Sequence, residues 1–136
     1  MCILIMDRYD GDDKQMKETE FKSWGEEQIG RLLQRNGIRY QYEYPLAVID
    51  NGKQRLYYPD FRLPDQGLII EYFGVNGKRS YDEQTRHKIE VYRQAGIEGL
   101  YQTRDSLRGE WPDMILSQIE SSLNDRLERY RRVYRR

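Results

Sequence analysis

The chain has 136 residues, with 23 Lys or Arg balanced by 23 Asp or Glu, for a formal net charge of zero at pH 7. That length suits one compact domain with little room for a second core, and the charge balance excludes global attraction to a polyanion. The single cysteine, Cys2, excludes an intrachain disulfide and a multi-cysteine zinc site, and fits a reducing, cytosolic compartment.

The opening CILIM is too short for a signal peptide or a membrane span and runs straight into acidic residues, so a soluble protein is expected. KETEFKSWGEEQIGRLLQRNG predicts a helix, because Phe21, Trp24, Ile29, Leu32 and Leu33 fall mostly on one side and Asn36-Gly37 supplies a stop. Ser23 with Glu26 three residues on offers a capping box and a start later than residue 17. IRYQYEYPLAVI alternates as a strand, and DNGK predicts a hairpin into QRLYYPDFRLP. GLIIEYF has successive apolar positions, the mark of a central strand covered on both faces. A helix over YDEQTRHKIEVYRQAG stops at Gly96, a short strand follows near GIEGLYQ, and the chain from Trp111-Pro112 onward reads as helix. The order predicts an α/β fold, a mixed central sheet flanked by helices with a C-terminal helical extension. The expected divisions are an acidic segment over 1–16, a core over 17–105, and a basic helical extension over 106–136 that packs on the same domain or on a partner.

The chemistry concentrates in RLYYPDFRLP and GLIIEYFG. Asp60 and Glu71 are separated by the turn LPDQG, so pairing of their strands brings the two carboxylates together. Phosphodiester hydrolysis needs a polarised phosphoryl oxygen, a deprotonated water and relief of charge on the leaving oxygen, and a hard cation held by carboxylates addresses all three. The backbone carbonyl of Tyr72 could complete the ligands. Asp60 also suits a turn after Pro59, whereas Glu71 inside LIIEYF is a costly burial without a cation or partner.

SWGEEQIGRLL, the YEY-P segment, YYPDF, IEYFG and RHKIEVYRQAGI together resemble the PD-(D/E)XK nuclease superfamily, in particular the small nuclease domain carried by some superfamily 1 helicases. The resemblance runs from about Ser23 to Gln102. It implies a restriction-endonuclease-like fold, magnesium with manganese as a substitute, and DNA cleavage leaving a 5'-phosphate. It assigns Asp60 and Glu71 as motif acids and Glu26 as the acid of the preceding helix, with Glu27 as the neighbouring alternative. Phe73 stands where the motif lysine would be, and a phenyl ring can neither orient water nor offset charge. Lys88 on the following helix is the substitute, since similar families place a lysine there.

His87 neighbours Lys88 and must point elsewhere, as a surface or DNA-contact residue. Tyr81 and Tyr92 are expected to pack their helix on the sheet. Charge is segregated along the chain: residues 1–27 hold eight acids against four bases, and residues 126–136 hold six arginines against one glutamate. Leu116, Ile119, Leu123, Leu127, Tyr130 and Tyr134 form a packing stripe, leaving Arg126, Arg129 and Arg132 to meet phosphate together with Lys78 and Arg79 after the central strand.

The expected activity is that of a magnesium-dependent DNA endonuclease selective for junction or branched DNA, in repair, recombination or the processing of phage and mobile-element DNA. A homodimer would explain cutting of both strands, a helicase or recombination protein is a possible partner, and no membrane is involved. The alternatives are a non-catalytic DNA-binding protein and a scaffold using the C-terminal helix.

Overall fold

The computed structural model describes residues 21–74 and 79–134. The 1–16 segment, Cys2 and Lys78 lie outside the described residues. The elements in chain order are α1 (Trp24–Arg35), β1 (Gln41–Tyr42), β2 (Leu46–Asp50), β3 (Lys53–Tyr57), β4 (Phe61–Leu63), β5 (Leu68–Tyr72), α2 (Arg79–Gln94), β6 (Glu98–Gln102) and α3 (Trp111–Tyr134). They form a mixed α/β fold: a central sheet of order β1-β4-β5-β6 flanked by helices, a separate β2-β3 hairpin, and the C-terminal helix α3. No helix among the described residues is long and apolar enough to cross a membrane.

The later of the two helix starts holds. Ser23 is the N-cap, its hydroxyl accepting the Glu26 N–H, and its extended backbone leaves Phe21 and Lys22 outside the helix. The single strand expected over IRYQYEYPLAVI divides into β1 and β2, which belong to different sheets. Glu43 turns the chain with a φ of 51°, and Pro45 has no N–H to give a ladder. The expected hairpin is present. Asn51 and Gly52, at φ 51° and 74°, have the two positive values that a tight two-residue turn between twisted strands requires.

β5 is central, pairing antiparallel with β4 and parallel with β6, and α2 is the crossover such a parallel pair needs. Alternation along β5 sorts its side chains. Leu68 and Ile70 join α1 residues Ile29, Leu32 and Leu33 and α3 residues Ile115 and Ile119 in one core. Ile69 joins Val48 and the α2 residues Val91 and Tyr92 in the other. Glu71, two positions beyond Ile69, therefore falls on the α2 side.

The first half of α3 packs on the core through Ile115 and Ile119, with Leu116 against it and Ser122 also buried, so the expected stripe holds at Leu116 and Ile119, whereas Leu127, Tyr130 and Tyr134 further along it are exposed. The helix outruns the core it packs against. Trp24, expected on the packing side of α1, is 53% exposed.

Candidate functional site

β4 and β5 pair with Phe61 opposite Ile70, which places Asp60, just before β4, beside Glu71. The two are interlocked through backbone. The Asp60 N–H donates to Glu71 Oε1 at 2.8 Å, and the Tyr72 N–H donates to Asp60 Oδ2 at 2.7 Å. Each acid is thus oriented by the other's strand, a rigidity that a water-exposed turn aspartate would lack.

Glu71 is buried, 1% exposed. Its Oε2 receives the Lys88 ammonium at 2.6 Å and the more distant Tyr92 hydroxyl at 3.4 Å, both from α2. Lys88 and Tyr92 are separated by one helical turn, so both project from the same face onto the same carboxylate. His87 points away, its Nε2 2.8 Å from Asp50 Oδ1 at the hairpin. Tyr92 is fully buried against Tyr57, and burial, followed by the Glu71 charge, raises its phenol. Phe73 stacks with Tyr101 in the interior.

On the other side of the sheet, α1 brings Glu26 in. Its carboxylate accepts the Ser23 hydroxyl at 2.6 Å on Oε2 and the Tyr42 hydroxyl at 2.6 Å on Oε1. α1 docks closely enough for this because Gly25 has no side chain: a Cβ there would lie 2.1 Å from the Tyr72 ring. Glu27, the alternative acid, is exposed and pairs with Arg31.

Glu26, Glu43 and Asp60 each offer one carboxylate oxygen within 4.8 Å of the others, a spacing able to hold a metal ion. Glu43 was not anticipated. It sits in the bend between β1 and β2, its N–H donates to the Asp60 carbonyl at 3.1 Å, and its left-handed backbone is held in place by that contact. The only local signal for it was Pro45 two residues on, which marks the strand break. Lys22 reaches Glu43 at 2.8 Å from a largely exposed position, and Glu43, then Glu26 and Asp60, raise its pKa.

Asp60 carries the cost of this crowding. Burial, followed by the charge of Glu71, pushes its carboxyl up to about 7, with Glu26 adding to the rise and the Tyr72 N–H and Lys88 opposing it. A group of oxygen donors gathered around such an acid could hold a metal ion.

The basic residues are dispersed. Arg126 donates to the carbonyls of Pro64 and Asp65 at 2.8 and 3.2 Å, at the β4–β5 turn and so at the far end of those strands from Asp60. Arg129 and Arg132 line a shallow hollow with Glu98, Asp125 and Glu128, and Arg79 opens α2.

No protein family matches the chain, and no curated protein or solved structure matches it.

Proposed function

We propose that the chain is a magnesium-dependent deoxyribonuclease with a restriction-endonuclease-like core, cutting phosphodiester bonds in junction or branched DNA. The observation that carries this reading is the pairing of Lys88 with Glu71 at 2.6 Å, while the other Glu71 oxygen holds the Asp60 N–H. A lysine from α2 thus stands beside both motif acids, where Phe73 cannot serve.

Asp60, Glu26 and the newly found Glu43 would hold the cation, and Glu71 and the Tyr72 carbonyl would complement them from β5; manganese would substitute. When bound, the cation supplies charge against the phosphodiester and acidity to water. Lys88 orients the attacking water and offsets negative charge as it develops on phosphorus oxygens. Glu71 holds the Lys88 ammonium in place while the Tyr92 hydroxyl donates to the same carboxylate oxygen, and the reciprocal Asp60 and Tyr72 contacts keep the acids from swinging. Arg129 and Arg132, near Glu98 at the end of the sheet remote from Glu71, would contact DNA away from the cut, and a homodimer or a helicase or recombination partner would present the second strand. The setting would be repair, recombination or phage and mobile-element DNA processing.

The test is cleavage of labelled linear duplex, single-stranded, flapped and four-way-junction DNA in magnesium and in manganese, alongside Glu71→Ala and Lys88→Ala, with binding measured for each. Cutting that needs metal and disappears in both variants while binding persists is the expected result. Binding without cutting under any metal would replace the nuclease with a DNA-binding protein.

A further inference from the structure

Beside the carboxylates, at the same end of the sheet, Trp24 and Arg104 form a pair that the proposed chemistry does not use. Trp24 opens α1 immediately after the Ser23 cap and two residues before Glu26, and more than half of its surface is exposed. The Arg104 guanidinium lies over the indole, 6.0 Å from the ring centroid. Arg104 is held there by its backbone, because its N–H donates to the Gly74 carbonyl at 3.0 Å, continuing the line in which Phe73 donates to Gln102 at 2.8 Å. The loop after β6 is thereby tied to the end of β5, just beyond Glu71 and Tyr72.

The Tyr72 ring lies against Gly25, the residue after Trp24, so the start of α1 and the end of β5 meet here. Arg104 has no carboxylate partner among the described residues, and its side chain is exposed. An exposed indole costs hydrophobic free energy, and a guanidinium over it leaves several N–H donors free for an incoming anion.

We propose that Trp24 and Arg104 bind one unpaired nucleotide next to the scissile phosphate, the base stacking on the indole and its phosphate accepting from the guanidinium. The inference rests on the nuclease reading and narrows its substrate to DNA with single-stranded character at the cut. A duplex keeps its bases stacked on each other and has none to lend to an indole, whereas a flap or a junction arm does. An aromatic platform with an arginine also tolerates any base.

The experiment uses the whole chain in EDTA, so that binding is read without cleavage. In a Trp111→Phe background Trp24 is the only tryptophan, and its emission is followed on titration with an oligothymidylate and with a blunt duplex of equal length. The expected result is quenching by the single strand, a Kd for it about 10-fold weaker or more in Trp24→Ala, a smaller loss in Arg104→Ala, and recovery in Trp24→Phe. Unchanged emission on binding, equal affinity of the variants, or no binding of the single strand would each overturn the proposal. Glu71→Ala separates the two readings. If it binds and quenches normally while wild-type protein cuts no substrate in magnesium or manganese, the nuclease reading fails and the nucleotide contact stands as a binding site. If Trp24→Ala cuts flapped DNA at the wild-type rate, the nucleotide contact fails and the nuclease stands.

Discussion

Asp60 precedes β4 and Asp65 follows it, so the same short strand carries an aspartate at each end in opposite electrostatic settings. Asp65 accepts from Arg39 Nε at 2.8 Å, and that contact holds its carboxyl below the usual range. Asp60 is half-buried among Glu71, Glu26 and Glu43, and its carboxyl is raised. The turn end supplies its acid with a guanidinium and its carbonyls with Arg126. The site end gathers acids and answers them with Lys88 and the exposed Lys22. A fold that neutralises one end and crowds the other leaves at the crowded end carboxylates spaced so that they could hold a cation.

Removing Lys88 should give the largest effect, because it is the cation closest to the buried acid. Lys88→Ala is expected to slow metal-dependent cleavage by about 10²- to 10⁴-fold, and to lower stability by about 1–3 kcal/mol by leaving Glu71 unpaired in the interior. The stability figure is set below that of a fully enclosed pair because Lys88 is itself one-third exposed. Asp65→Asn, at the other end, should leave the cleavage rate as it was. Single-turnover cleavage and urea unfolding read the two quantities separately.

The pH dependence of stability should carry opposite signs for the two aspartates. For Asp60 the folded value of about 7 lies above the ordinary 3.8. Between those values the folded state keeps a proton that the unfolded chain has lost, so stability falls as pH rises through the window and the full penalty is present above it. The size is of order a few kcal/mol. Without metal, Asp60→Asn should therefore be the more stable protein at pH 8 and equal to wild type near pH 4. Saturating magnesium should stabilise wild type at pH 8, by about 2.7 kcal/mol at 100 times Kd, and leave Asp60→Asn unmoved. Urea unfolding across this range, with and without magnesium, would sink the cation reading if the metal acted on both proteins alike.

Gly25 tests how the crowded end is assembled. A methyl group there would overlap the Tyr72 ring, so Gly25→Ala should cost about 1–3 kcal/mol, although alanine favours an exposed helix by about 1 kcal/mol. Because α1 carries Glu26, the same change should weaken magnesium binding. Isothermal titration with magnesium would show whether the helix position and the cation site are coupled.

How much of this was legible in the sequence depends on the range of the contact. The Ser23 cap, the Asn51-Gly52 turn and the apolar run of β5 are local and were read directly. Asp60 and Glu71 were legible together because LPDQG is a turn short enough to force their strands to pair. Lys88 rested on motif resemblance, since nothing in helix periodicity says that the one lysine of α2 turns back onto the strand before it. Glu43 was hidden because YQYEYPLAV alternates well enough to pass for one strand, and only the backbone bend aims its carboxylate at Asp60. Trp24 was misplaced for the converse reason: an indole at an apolar period reads as core, and only its place in the first turn, beyond the reach of the sheet, leaves it in water. On α3 the expected stripe packs at Leu116 and Ile119 and is exposed from Leu127 onward, because the helix continues past its support.

The turn end should respond weakly, and its responses should be structural. Arg126→Ala removes two carbonyl contacts on an exposed side chain, a loss of about 1 kcal/mol. Since that guanidinium is committed to the turn, DNA affinity should change less than in Arg129→Ala or Arg132→Ala, each of which should lower the salt dependence of binding by about one ion. Binding isotherms over a salt series would make Arg126 a DNA contact if its slope fell equally. The smallest effect belongs to Arg39 and Asp65, both partly exposed, where Arg39→Ala should cost little stability. With its folded value depressed, Asp65 contributes that stability above 3.8 and loses it as pH falls through the still lower folded value. Stability measured at pH 2 and pH 6 should show the difference between wild type and Arg39→Ala at the higher pH alone, opposite in direction to the behaviour of Asp60 on the same strand.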